Sequence, residues 1–292
     1  MSIIVRFDSF FIGIYPIVFL IIRFKVNTSE YPVKNPTMSP NPRQLTLLAL
    51  VQAQGSATVE HLAEKLGVTL QTVRRDVQRL ADSGLLSRFH GGVRAPSSTV
   101  ENMAHQQRAN LNTAGKLRIA RAVGAAVPND CSLILNIGTT IECIARALLH
   151  HSGLRVITNN LNVASTLSAN VNCEVIVVGG VVRGRDQGIV GEAAVDFIRQ
   201  FKVDIAIIGI SGIEADGSLR DFDYREVKVS QTILTHAREV WLAADISKFN
   251  RPAMVQVGDL TQIDRLFTDA EPPDPFPDLL NDAQVRYEVS SP

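Results

Sequence analysis

The apolar positions change period along this chain, and the change divides it in two. Over residues 43–54, Leu45, Leu48, Leu50 and Val51 recur at helical spacing until Gly55 closes the run. Leu62, Ala63 and Leu66 do the same over residues 59–66, with Thr58 placed to cap them. Gly67, Val68 and Thr69 then make a tight turn, and Thr69 caps a third helix, residues 70–83, whose inner stripe is Val73, Val77 and Leu80. LLSRFHGGVRA reads as two short strands about Gly91 and Gly92, a β-hairpin. Two helices joined by a short turn containing glycine, followed by a hairpin, predict a winged helix-turn-helix over residues 38–96.

Beyond it the pattern becomes that of alternating strands and helices. A polar linker, residues 97–115, and a helix, 116–127, form a connecting segment (97–128) whose length would let the first domain swing. Strands are predicted at 133–137, 155–158, 174–178, 204–208, 239–244, 254–257, 265–268 and 285–289. Helices are predicted at 140–149, 161–167, 193–201 and 225–237. Uninterrupted apolar runs such as VIVV and DIAIIGI require burial on both faces, so residues 129–292 are expected to be an α/β domain with a mostly parallel sheet.

The first 37 residues fit neither part. SFFIGIYPIVFLII is uncharged but broken by Gly13 and Pro16, and it is shorter than the roughly 20 apolar residues a membrane span needs. No small-residue cleavage site follows it. Met38 opens the polar MSPNPRQ, so residues 1–37 are expected to be a non-native leader, with the true start at Met38 and no membrane partner.

Composition narrows the chemistry. With 46% hydrophobic and 20% charged residues, the chain is not mainly disordered. Its net charge is zero, so any affinity for nucleic acid must come from local clustering. Residues 38–96 supply it: Arg43, Lys65, Arg74, Arg75, Arg79, Arg88 and Arg94 stand against Glu60, Glu64, Asp76 and Asp82. Cys131, Cys143 and Cys173 form no CxxC pair and have no paired histidines nearby, so a reduced cytoplasm is expected and neither metal nor cofactor is.

The third helix carries the first candidate site. At about 100° per residue, Gln71, Arg75 and Gln78 point away from the apolar stripe, flanked by Thr72, Arg74 and Arg79. Planar Arg and Gln side chains near a helix N-terminus are what base edges in a major groove require. Thr69 at the cap and Arg88, His90 and Arg94 on the wing complete a candidate interface with operator DNA. Merely solvated arginines would explain QTVRRDVQRL alone, but not the turn, the capping threonines and the Gly-Gly wing together.

The second candidate site lies where strands end. Parallel sheets bind ligands beyond the carboxyl ends of their strands. The predicted ends carry Asn136, Gly138, Thr139 and Thr140, then Asn159 and Asn160, then Gly180, then Gly209, Ser211 and Gly212, and finally Lys248. Gly138, Thr139 and Thr140 directly precede a helix, whose first N–H groups suit a phosphate. Lys248 is the expected cationic partner, ahead of Arg183 and Arg185 in a loop expected to be mobile. Asp223 and Glu226 are expected either to accept hydrogen bonds from a polyol or to bond neighbouring loops.

ATVEHLAEKLGVTLQTVRRDVQRLADSGLLSRFHGGV resembles the DNA-binding domain of the deoxyribose-operon-repressor (DeoR) family. LRVITNNLNVASTL, RDQGIVGEAAVDFIRQF, IIGISGIEADGSLRDFDYREV and DISKFNRPAMV extend the resemblance over almost the whole chain from Met38. It implies a sensor domain of the sugar-phosphate isomerase and coenzyme A transferase type. Within the family, the likeness is to repressors of glycerol-3-phosphate uptake and breakdown genes. It therefore implies release from DNA by glycerol 3-phosphate, and a homo-oligomer, dimeric on DNA and tetrameric overall. Asn136 departs from the family, whose members usually carry Asp there. Two alternatives stand beside this reading: a repressor of the same type sensing another sugar phosphate, and an isomerase-like enzyme. Ribose-5-phosphate isomerases carry a DGAD loop that ISGIEAD does not match, so no catalytic residue is assigned.

Overall fold

A computed structural model describes residues 40–54, 56–83, 85–89, 92–94 and 105–290. The expected leader and its boundary at Met38, the glycines 55 and 91, His90 and the first part of the linker lie outside these residues.

The N-terminal domain forms as its pattern dictates. Helix α1 (Pro42–Gln54) leads to a short strand, β1 (Ser56–Thr58), then to α2 (Val59–Leu66) and α3 (Leu70–Asp82). Leu47, Val51, Leu62, Val73, Val77 and Leu80 meet in one apolar core. Thr58 and Thr69 cap the second and third helices, accepting hydrogen bonds from the backbone of His61 at 3.2 Å and Thr72 at 3.3 Å. Gly67 ends α2 at φ +63°, a left-handed conformation that glycine adopts without strain. The wing is β2 (Ser87–Phe89) and β3 (Gly92–Arg94), with β3 central between β2 and β1. The sequence pattern missed β1, because three residues between two helices have no period to read.

One buried charge ties α3 to α1. Asp76 is 1% exposed and accepts hydrogen bonds from Arg43 Nε at 2.7 Å and from the buried Gln44 amide at 3.0 Å. Burial works to raise its pKa, but those hydrogen bonds and the Arg43 charge outweigh it and hold the carboxyl below its ordinary range.

The linker differs from expectation. It contains a helix, α4 (His105–Asn110), and the next helix, α5 (Thr113–Ala126), begins three residues before the expected Lys116. His105 Nε2 lies 2.9 Å from Glu142 Oε1, so the described part of the connection is bonded to the sensor domain rather than loose.

The sensor domain alternates β4 (Ser132–Leu135), α6 (Thr139–Ala147), β5 (Leu154–Thr158), α7 (Leu161–Leu167), β6 (Cys173–Val177), the hairpin β7 (Val181–Arg183) and β8 (Gly188–Val190), and α8 (Glu192–Ile198). It continues with β9 (Val203–Ile208), β10 (Gly212–Ile213), β11 (Ser218–Asp221), α9 (Tyr224–Thr235), β12 (Ala237–Ala243), β13 (Val255–Asp259), β14 (Arg265–Thr268), α10 (Phe276–Asp282) and β15 (Arg286–Val289). Seven strands, in the order β15-β14-β12-β9-β4-β5-β6, pair in parallel throughout. Alternation along them feeds two cores. Ile134, Ala206, Ile208 and Leu242 pack with α8, α9 and α10, while Leu133, Leu135, Ile207 and Trp241 pack with α5, α6 and α7. Residues 254–257 do not join this sheet: β13 pairs antiparallel with β11 in a separate three-stranded sheet. A short apolar run reads alike in either sheet, and only the pairing partner distinguishes them.

Replacing Asp76 with Ala is expected to destabilise the N-terminal domain by about 1–3 kcal/mol, chiefly by stranding the buried Gln44 amide, since the half-exposed Arg43 contributes little on its own. Because Asp76 is depressed in the fold, its stabilisation is present above the ordinary aspartate pKa of about 3.9 and is lost as pH falls through the folded value. Amide exchange across α3 reads the change; wild-type protection in the variant would contradict it.

Candidate functional site

Helix α3 presents one polar face. Gln71, Arg74, Arg75, Gln78 and Arg79 are exposed, as is Thr69 at the cap, and Thr72 is half-buried with its hydroxyl 2.9 Å from that of Thr69. Arg74, Arg75 and Arg79 make no side-chain hydrogen bond or salt bridge among the described residues. Gln78 donates to Asp82 at 2.7 Å and accepts from Arg88, which joins the wing to this face. Arg94 requires a correction. It does not project from the wing as a DNA contact would: it is 6% exposed, and its guanidinium donates to the carbonyl of Ser247, at 3.3 Å, and to that of Asn250, both in the sensor domain.

At the other site, the parallel sheet gathers the predicted loops along one edge, but several of their residues hold the fold itself. Asn136 is occupied at both ends, donating to Ser230 Oγ at 3.0 Å and accepting from the Ile137 backbone at 2.7 Å. A β-carbon at Gly180 would press on Ile189, and one at Gly212 would overlap the Arg251 carbonyl. Ser211 offers its carbonyl to Arg251 Nη1 at 2.9 Å, and a β-carbon at Gly209 would come 3.4 Å from the Ile137 carbonyl. These residues bring loops together. Gly138 differs: at φ +146° it sets the turn into α6, and a β-carbon there would meet only Ile141, at 3.6 Å. Thr139 and Thr140 follow it, both buried, in the first turn of α6, where backbone N–H groups lack intrahelical partners.

Asp223 and Glu226 take the second of their two expected roles, bonding a neighbouring loop, and Arg183 is anything but mobile. Its side chain is 8% exposed and pairs with Asp186 at 2.7 Å, Asp223 at 3.0 Å and Glu226 at 2.6 Å. The carboxylates around it raise its pKa against the opposing effect of burial. Asp223 also caps α9 and is held down to about 2, the Arg225 and Arg183 hydrogen bonds overcoming burial. Burial, reinforced by Asp221, pushes Glu226 up to about 7 despite Arg183.

What the sequence missed is a gathering of cations. Lys248 is half-buried, and burial pushes its ammonium down to about 7, Asp245 opposing while Arg251, Lys116 and Arg108 add to the fall. Lys116 is 2% exposed and donates to the Arg108 carbonyl. Arg251 is lowered to about 10 by burial and then by Arg94 and Arg108. Arg108 stands in the segment read as linker, Lys116 at the start of the connecting helix, and Arg94 in the segment read as DNA-facing. No spacing rule connects positions so far apart.

Buried polar atoms with no hydrogen-bond partner mark the same edge. Asn159 Oδ1, Asn160 Nδ2, Asp245 Oδ2, Thr268 Oγ1 and Ser290 Oγ all stand at or just beyond the ends of parallel strands, and Arg94 Nε and Arg108 Nε lie on segments reaching them. Folded proteins partner nearly all such atoms, so their concentration singles out a place where an outside polar group fits. The open groove of about 430 Å³ lined by Glu192, Val195, Lys228, Thr232 and His236 runs instead down α8 and α9 toward the opposite end of the sheet, and holds none of these atoms. Among the described residues no group of His, Cys, Asp or Glu is arranged to hold a metal ion.

Comparison with known proteins identifies the two domains. Residues 43–99 match the DeoR-like helix-turn-helix domain and residues 111–270 the DeoR C terminal sensor domain. The glycerol-3-phosphate regulon repressor of Escherichia coli is 45% identical over 252 residues, covering 86% of this chain and 100% of that protein. The HTH-type transcriptional repressor CsqR of Escherichia coli is 41% identical over 249 residues, 85% of this chain and 95% of its own. Among solved structures, ribose 5-phosphate isomerase A of Methanocaldococcus jannaschii is similar at a TM-score of 0.36 and 16% identity, over 47% of this chain and 55% of that one, too slight a likeness to bear on activity. Both halves of the chain and the relatives that span it agree: this protein belongs to the DeoR family.

Proposed function

We propose that this chain represses transcription of glycerol-3-phosphate metabolism genes and leaves its operator when glycerol 3-phosphate binds at the carboxyl edge of the parallel sheet. The observation that carries the effector site is the coincidence there of a helix N-terminus at Thr139 and Thr140, a cationic cluster around Lys248, and buried polar atoms without partners. A phosphate monoester offers the negative charge and the acceptors, and its hydroxyls suit Asn159 and Asn160. The exposed Arg and Gln face of α3 reads base edges, and the cap and Arg88 meet phosphates. Two copies related by a two-fold axis would set their α3 helices about 34–36 Å apart to match successive half-sites. Among the described residues no helix is long and apolar enough to cross a membrane, and the reading places the protein in the cytoplasm with its DNA.

This reading makes the protein a binder rather than an enzyme. Glu226, near neutrality, has the pKa of a proton carrier, but its carboxylate is bound to Arg183 at 2.6 Å. The 41% identity to a repressor with a different name leaves a second reading, in which the same edge takes another sugar phosphate.

Arg75→Ala is expected to lower the preference for operator over random DNA by about 1–3 kcal/mol, the worth of one bidentate base contact, while leaving effector binding intact. Competition binding reads this ratio, and an unchanged ratio would remove Arg75 from base readout. For the effector, Thr139→Val deletes one hydroxyl at nearly constant volume. Loss of a hydrogen bond to a charged group, about 1.5–3 kcal/mol, weakens binding about ten- to a hundredfold. Calorimetric titration with glycerol 3-phosphate, glucose 6-phosphate and glycerol tests it. Wild-type affinity in the variant would take the loop out of the site, glycerol binding as tightly as its phosphate would exclude phosphate recognition, and preference for glucose 6-phosphate would favour the second reading.

A further inference from the structure

We propose that Arg94 of the wing completes the effector's anion site, so that a bound phosphate monoester holds the wing against the sensor domain and withholds it from DNA. The proposal rests on the effector site assigned above, and adds to it a residue from the other domain and the direction of its effect.

Arg94 is docked without being neutralised. Strand β3 delivers its guanidinium to two backbone carbonyls, those of Ser247 and Asn250, and no carboxylate forms a salt bridge with it among the described residues. Its Nε is buried with no acceptor, as is Nε of Arg108. A nearly buried guanidinium bonded only to carbonyls keeps its full charge, and burial lowers its pKa to about 10. Arg251 lies close enough for Arg94 and Arg108 to disfavour its own charge. Arg94 and Arg108 thus lie near Arg251, and Arg108, Lys116 and Arg251 near Lys248, about the loop that follows β12. Among the described residues the nearby carboxylates offset these cations only in part. Asp186 stands 3.5 Å from Arg108 but is bound at 2.7 Å by Arg183. Asp245 favours the charged forms of Lys248, Lys116 and Arg251, and Asp221 that of Arg251, each with a single negative charge. Among the described residues these five cations outnumber the neighbouring carboxylates not already bound to Arg183, and a dianionic phosphate monoester supplies further negative charge.

The same short loop serves both domains. Residues 245–251 present Lys248 and Arg251 by their side chains and the acceptors for Arg94 by their backbone. The loop is firmly seated: Phe249 is 1% exposed and packs edge-on against Phe276 at 4.9 Å, Asp245 caps the 3-10 turn Ile246–Lys248, and Arg251 Nη1 donates to the Ser211 carbonyl. An anion among these cations relieves the repulsion that opposes docking of Arg94. Occupancy therefore favours the docked wing, and a wing held on the sensor domain is not free to follow a DNA groove. By linkage, whatever frees the wing for DNA weakens the anion site by the same factor.

The test uses the full chain. Arg94→Met keeps most of the side chain's length and removes its charge, and Arg94→Gln serves as a second variant should the first perturb the wing. Titration calorimetry with glycerol 3-phosphate should show at least a tenfold loss of affinity in both. Amide exchange over residues 87–94 should slow on adding glycerol 3-phosphate to the wild type and remain unchanged in the variants, a response that a merely structural role for Arg94 would not produce. Effector binding equal to wild type in both variants, or wing exchange that quickens when effector binds the wild type, overturns the proposal while leaving the repressor reading intact. Failure of the wild type itself to bind any phosphorylated ligand overturns both together.

Discussion

Seven strands running the same way force every strand-to-helix connection onto one edge of the sensor sheet. That constraint organises the chemistry of this protein. The turn into α6, the two asparagines after β5, the loop after β12 and the residues ending β14 and β15 come from distant parts of the sequence, and parallel pairing sets them side by side. Both faces of the sheet are covered by helices, so these loops cannot turn their polar atoms toward the core. Asn160, Asp245 and Thr268, wholly buried yet each with an unpartnered side-chain atom, are the result.

Two cationic arrangements near that edge behave in opposite ways. Arg183 sits among Asp186, Asp223 and Glu226, its charge matched by neighbours, and it locks the β7–β8 hairpin to the start of α9. Around Lys248 the described acids offset the charge only in part, and burial, with neighbouring cations adding to it, pushes Lys248 and Arg251 toward the neutral form. A cation whose charge is matched by bonded carboxylates is scaffold, whereas one less fully matched has charge left to offer an anion. That difference, more than the presence of basic residues, directs the functional reading to Lys248 and away from Arg183.

The chain announced these features unevenly. Local patterns were legible: Thr58 and Thr69 cap the helices expected of them, Gly67 adopts the turn conformation, and the strands of the sheet fall close to their apolar runs. Features set by pairing between distant residues were not. Asp76 looks like one more polar position on a helix, and only the approach of Arg43 and Gln44 from α1 shows that it is buried. Strand β13 reads like a member of the main sheet until its antiparallel partner is known. Arg94 looks like a wing residue facing DNA because charge on a wing suggests it, while the carbonyls that hold it lie more than 150 residues away. Lys116 and Arg108 share that fate, since nothing in a polar linker or at the start of the helix after it shows which cations the fold will draw in.

In the proposed repressor, effector and operator binding are linked. Operator binding measured over a range of glycerol 3-phosphate concentrations gives the factor by which effector weakens DNA binding. Effector binding measured on free and operator-bound protein gives the reverse factor. Both factors are expected to exceed unity and to be equal, at about 5- to 150-fold for a coupling of ordinary size. Glycerol 3-phosphate bound with the same affinity by the free and the operator-bound protein would contradict the linkage.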